Sequence, residues 1–386
     1  MNPGSNALTL ALEEGSDSRA HGRDAKALAR RMAALKAEAK DKGYFVVPLW
    51  EQAFRIGELL LMPTIAFALL TQGGFAAALG AIILGVHYPR TAYLSHDIAH
   101  EQWGPRKEKY AQFMFMLAEI TQGFGPTWWV EKHELHHAFP NACKAGPDGK
   151  LAPIDGDIDA RPFIVWDKAL ADFNLSSESP AGRAFALMLA RIQTYLFFPM
   201  LSIARFNWSY QSIEVAFRNG RTLEGVLCIA HWVLGLTLAG FLTPGAAWTG
   251  WVWFIAAQFI GGTILACVFV LSHTGMDVYD ANDAEGFYDR QARSTRDTPT
   301  SVFFDWLAGG LNSQIEHHMF PTMARRNLAR MREPTRQAMI ECGYSYDSIS
   351  NREAMREVMR ALKEASAAMV STAATRDMLR APEFMG

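Results

Sequence analysis

The sequence predicts an all-α membrane protein, with about four transmembrane helices in two hairpins beneath a cytosolic, histidine-rich helical cap. Half of the 386 residues are hydrophobic and only 20% are charged. Four apolar stretches each approach the roughly 20 residues that an α-helix needs to cross a bilayer. Seven of the 11 histidines fall into three short clusters, which is typical of metal sites. The net charge of −2 gives no basic surplus of the kind that binds nucleic acid.

The N-terminal segment, residues 1–50, is expected to be cytosolic. Residues 1–24 are polar and low in aromatics, which predicts disorder. Residues 25–42 are rich in Ala, Lys and Arg and place Leu28 and Met32 at helical spacing. They predict an amphipathic helix that either lies on the membrane surface or is solvated.

Two pairs of apolar stretches predict the two hairpins. Residues 53–70 and 74–93 are joined by Thr71-Gln72-Gly73, and residues 223–243 and 248–272 are joined by a similarly short turn. Each stretch is near the length required to span a bilayer. Each hairpin therefore returns the chain to the side from which it entered.

The distribution of positive charge predicts the orientation. The hairpin turns carry no Lys or Arg, whereas the N-terminal segment and the histidine-bearing loops carry many. By the positive-inside rule the histidines lie on the cytoplasmic side, and an even number of crossings puts both termini there as well. We interpret the chain as a multi-pass integral membrane protein, with the bacterial inner membrane favoured.

Three further segments connect these elements. Residues 108–127 are amphipathic and aromatic and predict an interfacial or partly inserted helix. Residues 184–204 are apolar but contain Arg191, so we expect a helix in the interface or one shielded by the bundle, because a charge in lipid is costly. Residues 143–182 are polar and predict a solvated loop. The loop includes an acidic run of Asp155, Asp157 and Asp159.

The densest histidine cluster is in Glu131-Lys132-His133-Glu134-Leu135-His136-His137. On an α-helix, His133, His136 and His137 would face one side. Neighbouring residues diverge by about 100° around the helix axis. His136 and His137 could therefore ligate two different metals.

Two other clusters have related spacing. His96 and His100 are one helical turn apart, and Gln314, His317 and His318 repeat the pattern of the densest cluster with Gln in the first place. Imidazole ligates zinc, copper, iron or nickel, so ligand type alone leaves the metal open. The seven histidines already exceed the three or four that one zinc takes, which favours two metals.

The three clusters resemble the histidine boxes of the membrane fatty acid desaturase superfamily. The third, Gln-Ile-Glu-His-His-Met-Phe-Pro after Gly309-Gly310-Leu311-Asn312, is similar to the front-end and linoleoyl-CoA desaturase-like branch. The resemblance covers about residues 50–335, which we take as the desaturase domain, 51–335. It implies two iron ions, O2 as co-substrate and two electrons. It also implies an additional ligand where His273 follows the last crossing. The implied ligand set is His96, His100, His133, His136, His137, His273, His317 and His318.

Other polar residues near the boxes are expected to support the ligands or the substrate. Nearby carboxylates commonly orient ligating imidazoles by accepting their second N–H, and the amides are candidates for similar roles. These residues are Asp97, Glu134, Glu316, Asn312 and Gln314. A second set is expected to line the acyl site. Four of its members, Arg205, Asn207, Trp208 and Gln211, lie in a segment that resembles the one lining the acyl site in relatives. This set is Trp128, Arg205, Asn207, Trp208 and Gln211.

The expected reaction is O2-dependent introduction of a double bond into a fatty acyl chain, presented as acyl-CoA, acyl carrier protein thioester or membrane lipid. The chain has no His-Pro dipeptide and so no cytochrome b5 heme motif, which predicts a separate electron donor such as ferredoxin, or cytochrome b5 with its reductase. Alternatives are hydroxylation or oxidative decarboxylation at the same centre, a zinc-dependent amidase, and a non-catalytic lipid-binding chain. Residues 336–386 predict a cytosolic helical tail, with a capping box at Ser350 and Glu353.

Overall fold

The computed structural model describes residues 22–147, 149–161, 163–176, 179–283 and 286–380. The predicted disorder of residues 1–24 falls almost wholly outside this part of the chain. The first helix, α1, is Ala25–Asp41, which confirms the helix predicted there. Its apolar face is covered by protein, because Leu28 and Met32 are fully buried in a cluster with Met339.

The first hairpin consists of α2 (Leu49–Leu70) and α3 (Gly74–Ala99). The two helices pack closely, since a Cβ added to Gly80 would lie 2.7 Å from the carbonyl oxygen of Ala66. α3 continues beyond its predicted end, and this extension carries the first histidine box.

The next two helices are α4 (Lys109–Gln122) and α5 (Pro126–Ala138). The single helix predicted over 108–127 is wrong at its end, because α4 stops at Gly123, whose φ of +83° is left-handed. α5 then starts in a new direction with Pro126 at its first turn and carries the second box.

The polar segment that follows forms two short strands, β1 (Ala142–Ala145) and β2 (Leu151–Pro153), and the short helix α6 (Ala171–Asn174). A third strand, β3 (Tyr279–Asp280), lies later in the chain. The sheet order is β2-β1-β3, with β1 antiparallel to β2 and parallel to β3. This small sheet ties the segment after the second box to the segment after His273.

Helix α7 (Pro180–Ser202) is followed by α8 (Ala204–Arg218) and then by the second hairpin, α9 (Thr222–Leu242) and α10 (Ala247–His273). The hairpin bounds agree with the prediction to within a residue or two. α10 also packs on α3 through glycines, because a Cβ on Gly261 would lie 3.0 Å from the carbonyl oxygen of Gly85.

Four of the described helices are long and apolar enough to cross a membrane, which confirms an all-α membrane protein. They are α2, α7, α9 and α10. The predicted set differs at one member, because α7 was expected in the interface and α3 was expected as the fourth crossing. α3 is 26 residues long and pairs with α2 and α10 along the bundle.

The C-terminal region is helical and covers the ends of α3 and α10. It contains α11 (Phe287–Ser294), α12 (Val302–Leu307), α13 (Gln314–Met319), α14 (Leu328–Glu341) and α15 (Asn351–Arg380). The capping box of α15 is confirmed, since Ser350 N donates to Glu353 Oε2 at 3.0 Å and Glu353 N donates to Ser350 Oγ at 3.2 Å.

Candidate metal centre

The histidine boxes converge from four helices on one buried region. Among the described residues, five histidines have ligand atoms within 4.8 Å of one another: His96, His100, His133, His137 and His317. Three more form an adjoining group by the same measure: His136, His273 and His318. The structure thus brings together all eight histidines that the sequence nominates.

Adjacent histidines divide between the two groups. His136 belongs to the three-histidine group and His137 to the five-histidine group. The same split separates His318 from His317. This follows from the helical conformation of α5 and α13, in which consecutive side chains diverge by about 100°.

In the five-histidine group, ring nitrogens face one another. The Nε2 atoms of His96 and His317 are 3.0 Å apart, those of His100 and His133 are 2.9 Å apart, and those of His137 and His133 are 3.1 Å apart. Burial lowers the pKa values of four of these rings, and neighbouring histidines lower them further; the four are His100, His133, His137 and His317. Neutral imidazoles that converge in this way suit a divalent metal ion.

In the three-histidine group, the Nδ1 atom of each ring lies close to an acceptor, so Nε2 is the nitrogen that could face a metal; His273 Nε2 also lies 2.9 Å from Gln314 Nε2. His136 Nδ1 is 2.9 Å from the Asp155 carboxylate, and His318 Nδ1 is 2.8 Å from Gln291 Oε1. His273 Nδ1 is 3.0 Å from the carbonyl oxygen of Ser294. Such outer partners fix the orientation of ligating imidazoles.

Asp155 was missed as a site residue, and the prediction that its acidic run is solvated is wrong for this position. Its side chain is 0% exposed and also accepts the backbone N–H of Asn141 at 2.8 Å. Burial works to lower the pKa of His136, but Asp155 and Asp157 outweigh it and raise the pKa to about 8. The acidic run itself was the available signal, because a carboxylate soon after a histidine box can fold back onto it.

Gln291 was also missed. It is fully buried on α11, and besides meeting His318 its Nε2 donates to the carbonyl oxygen of His137 at 3.0 Å. Nothing in the local pattern of α11 distinguishes this glutamine from an ordinary polar residue. Only the fold places it under both histidine groups.

The expected supporting residues occupy different positions. Asp97 lies 3.9 Å from His96 Nδ1 and pairs with Arg325 at 3.2 Å. Glu134 instead forms an ion pair with Arg106 at 2.5 Å near the surface. Gln314 Nε2 lies 2.9 Å from His273 Nε2.

Asn312 and Glu316 are bound away from the imidazoles. Asn312 Nδ2 donates to Asp305 at 2.7 Å, and Glu316 Oε1 lies 3.1 Å from the Tyr346 hydroxyl. Burial, reinforced by the nearby Asp297 carboxylate, raises the pKa of Glu316. These two residues stabilise the loop and helix that carry the third box.

A cavity of about 650 Å³ adjoins the centre. His96, His133, His136, His273 and Gln314 contribute to its lining. The expected acyl-site residues that line it are Trp128, Asn207, Trp208 and Gln211. Trp128 Nε1 donates to Gln211 Oε1 at 3.0 Å, which fixes the indole against the cavity.

Arg205 does not line this cavity. Its side chain is fully buried in the helix bundle, where Nε donates to Gln258 Oε1 at 2.9 Å and the guanidinium lies 4.1 Å from the Tyr88 ring centre. The guanidinium points into the protein because the face of α8 that carries Arg205 packs against α10. Its hydrogen bond to Gln258 joins these two helices.

The fold and the site define a helical membrane protein with a histidine centre able to bind metal. The family model described as fatty acid desaturase matches residues 73–350. The Acyl-lipid (9-3)-desaturase of Physcomitrium patens is 35% identical over 305 residues, which cover 78% of this chain and 55% of that protein. The Delta(6)-fatty-acid desaturase of Caenorhabditis elegans is 31% identical over 291 residues, covering 71% and 61%.

The chain therefore belongs to the fatty acid desaturase family, as the boxes predict. It spans between 55% and 61% of the length of these two relatives. The matched region contains all eight clustered histidines.

Asp155→Asn is expected to weaken metal retention by about 10- to 100-fold, the usual cost of losing an outer partner of a ligating histidine. The amide keeps the shape but not the charge that holds His136. Metal content after dialysis against a graded chelator series measures the effect. Asp172→Asn is the control, since that carboxylate pairs with Arg376 at 2.6 Å outside the histidine groups. Equal metal retention in the two variants would contradict the role of Asp155.

Proposed function

We propose that the chain is an O2-dependent fatty acyl desaturase with a di-iron centre. The observation that carries the proposal is the division of eight histidines into two adjoining groups beside a large, mainly apolar cavity. A single structural or catalytic zinc would take only three or four of these ligands.

The eight histidines fit two metal ions by their chemistry. His96, His100, His133, His137 and His317 would hold one ion, and His136, His273 and His318 would hold the other. Bound iron would supply, with O2 and two electrons, the oxidising power needed to remove hydrogen from an unactivated methylene. Gln314 would complete the three-histidine group by a direct, water-mediated or substrate contact.

The remaining residues of the site would position the acyl chain. Trp128 and Trp208 present aromatic surface to the cavity, and the hydrogen bond to Gln211 keeps the Trp128 ring in place. An apolar slot excludes water and restricts which carbon lies beside the histidines. Position along the slot would thereby determine which bond is oxidised.

The partners follow from the same proposal. Electrons would come from a separate ferredoxin, or from cytochrome b5 with its reductase, docking on the histidine side. The names of the relatives, which include an acyl-lipid desaturase and a fatty acid desaturase, support a fatty acyl substrate. We propose that the histidine side and both termini are cytoplasmic, in a bacterial inner membrane.

Expression in a host lacking the activity tests the function. The wild type is expected to produce a new double bond, seen by mass spectrometry as a loss of two hydrogens, and His136→Ala is expected to abolish it. Gain of one oxygen would indicate hydroxylation, and a terminal alkene would indicate decarboxylation. One bound zinc without iron would overturn the oxidative proposal.

A further inference from the structure

The turn that joins α4 to α5 is part of the cavity wall. Trp128, in the first turn of α5, also lines the cavity, and the second histidine box lies further along the same helix. One helix therefore connects a wall of the cavity to the histidines. The lining residues of the turn itself are Gln122, Phe124, Gly125 and Pro126.

The N-terminus of α5 has no capping side chain in its own segment. Its N-cap position is Gly125, which has no side chain, and Pro126 at the start of the helix has no N–H to donate. The first turn of any helix leaves backbone donors without intrahelical partners, and an N-cap side chain normally accepts from one of them. The first turn of α5 therefore depends on acceptors from other parts of the chain.

Glu224 of α9 supplies these acceptors from 97 positions away. Its Oε1 accepts the backbone N–H of Thr127 at 2.8 Å, and its Oε2 accepts the Thr127 hydroxyl at 2.6 Å. A carboxylate in this place also interacts favourably with the partial positive charge at a helix N-terminus. Both oxygens of this partly buried side chain thus bind the first turn of α5.

Two further contacts attach the same turn to α8. Ser212 Oγ accepts the backbone N–H of Gly125 at 2.6 Å, and Gln211 Oε1 accepts the indole N–H of Trp128 at 3.0 Å. Both of these acceptors are neutral. Hydrogen bonds to an ionised acceptor are roughly twice as strong as neutral ones, so Glu224 provides the strongest of the three attachments.

A second carboxylate lies beside Gly125. A Cβ added to this glycine would collide with carboxylate oxygens of both Glu119 and Glu224. Glu119 is buried on α4, and its burial, followed by the proximity of Glu224, raises its pKa to about 8. At neutral pH Glu119 is accordingly mainly protonated. The negative charge that faces the N-terminus of α5 is therefore that of Glu224.

The two ends of α5 are bound by different partners. At the box end, Asp155 lies 2.9 Å from His136, and Gln291 Nε2 donates to the carbonyl oxygen of His137 at 3.0 Å. Glu224 binds the opposite end. Loss of Glu224 alone would therefore leave the histidines attached and release the part of the helix that lines the cavity.

A small tilt of α5 is enough to matter for the reaction. Ten residues of α-helix extend about 15 Å, so a tilt of about 5° around the box end would move the first turn by about 1 Å. Misplacement by about 1 Å can change a rate by about 100-fold. The reacting carbon would shift relative to the histidines by a comparable distance, since the wall and the ligands belong to one helix.

We propose that Glu224 is a positioning residue, which fixes the Trp128 side of the cavity relative to the histidines of α5 and thereby sets which carbon of the acyl chain is oxidised. This rests on the proposed desaturase function. Glu224 is not among the residues that line the cavity, so it acts through α5 and not by contact with the substrate.

The position of the new double bond tests the proposal. The expressing host is fed deuterated palmitic, oleic and linoleic acid, and mass spectrometry after ozonolysis locates the double bond in each product. The wild type is expected to give one main positional isomer. Glu224→Ala is expected to raise the ratio of neighbouring isomers to the main one by at least about tenfold. A variant that merely folds less well would make less product at the wild-type ratio.

Variants on both sides of the contact complete the comparison. Glu224→Gln keeps the shape and one acceptor oxygen and is expected to stay within about twofold of the wild-type ratio, whereas Thr127→Val, which loses the hydroxyl, is expected to raise it about threefold. Glu214→Ala is the matched control, because this exposed acid on α8 pairs only with Arg218 at 3.5 Å. An unchanged ratio in Glu224→Ala would overturn the proposal. If that variant does not accumulate, an unchanged ratio in Thr127→Val would do so.

Metal content and hydrogen exchange distinguish failure of this role from failure of the desaturase function. Glu224→Ala should retain the metal of the wild type, and loss of metal would show that Glu224 supports the histidines instead of the cavity wall. In the full chain in nanodiscs, amide exchange at residues 127–130 should rise by at least about tenfold, without change at residues 133–138. Unchanged exchange at residues 127–130 would also refute the cap. If the wild type forms no product from any of the three acids, the desaturase function fails, while the exchange measurement still reports on Glu224.

Discussion

Replacing His317 by alanine is expected to abolish product formation and to remove metal from the five-histidine group. Its Nε2 lies 3.0 Å from that of His96, and its ring centre is 4.7 Å from that of His137. The fall in turnover should exceed about 100-fold, more than the loss of an outer partner costs. Metal analysis of purified protein and lipid profiling of the expressing host measure the two effects.

The control for this variant is His87→Gln. His87 is also buried, but it lies earlier on α3, outside the two histidine groups, with Thr91 Oγ1 3.4 Å from its ring. It should retain the metal content of the wild type. If His317→Ala kept full metal content and activity, the five-histidine group would not be the site of the chemistry.

Replacing Arg332 by alanine is expected to cause the largest loss of stability, about 3–5 kcal/mol, the usual cost of removing one partner of a buried ion pair. The Arg332 side chain lies 3.0 Å from Asp297, and its Nη2 donates to the carbonyl oxygen of Asn312 at 2.6 Å. Asp297 is fully buried and accepts the backbone N–H of Ile315 at 2.9 Å. Without Arg332, the Asp297 carboxylate loses its countercharge beneath the third box. Thermal unfolding of the purified protein measures the change.

Arg336→Ala is the comparison for this stability measurement. Arg336 lies one turn further along α14 and pairs with the exposed Glu333 at 2.7 Å. Exposed ion pairs contribute little to stability, so its unfolding temperature should match that of the wild type. Equal unfolding temperatures for the two variants would show that Arg332 is not required to hold the third box.

Local patterns in the sequence were sufficient to predict the hairpins and seven of the eight histidines that converge, while His273 was expected from the family resemblance. An apolar stretch such as Thr222–Leu242 specifies a helix by itself. The i, i+3, i+4 spacing of His133, His136 and His137 specifies which faces the imidazoles take. Even the assignment of His136 and His137 to different groups follows from helical geometry alone.

The residues that orient the imidazoles depend on contacts between distant segments. Asp155 reaches His136 only because the chain turns back after β2, and Gln291 reaches His318 from 27 positions away. Conversely, Glu316 is next to a ligand in the sequence but points toward Asp297 and Tyr346, because adjacent positions on α13 face different sides. Proximity in sequence is therefore a poor guide to outer partners on short helices.

The sharing of α5 and α13 between both histidine groups has a mechanical consequence. Each helix supplies adjacent histidines to the two groups, so a rigid movement of either helix displaces one histidine pair in both groups together. The adjacent histidines on each of these helices are one residue step apart, about 1.5 Å along the axis and 100° around it. A movement that leaves α5 and α13 unbent therefore keeps the spacing within each adjacent histidine pair constant.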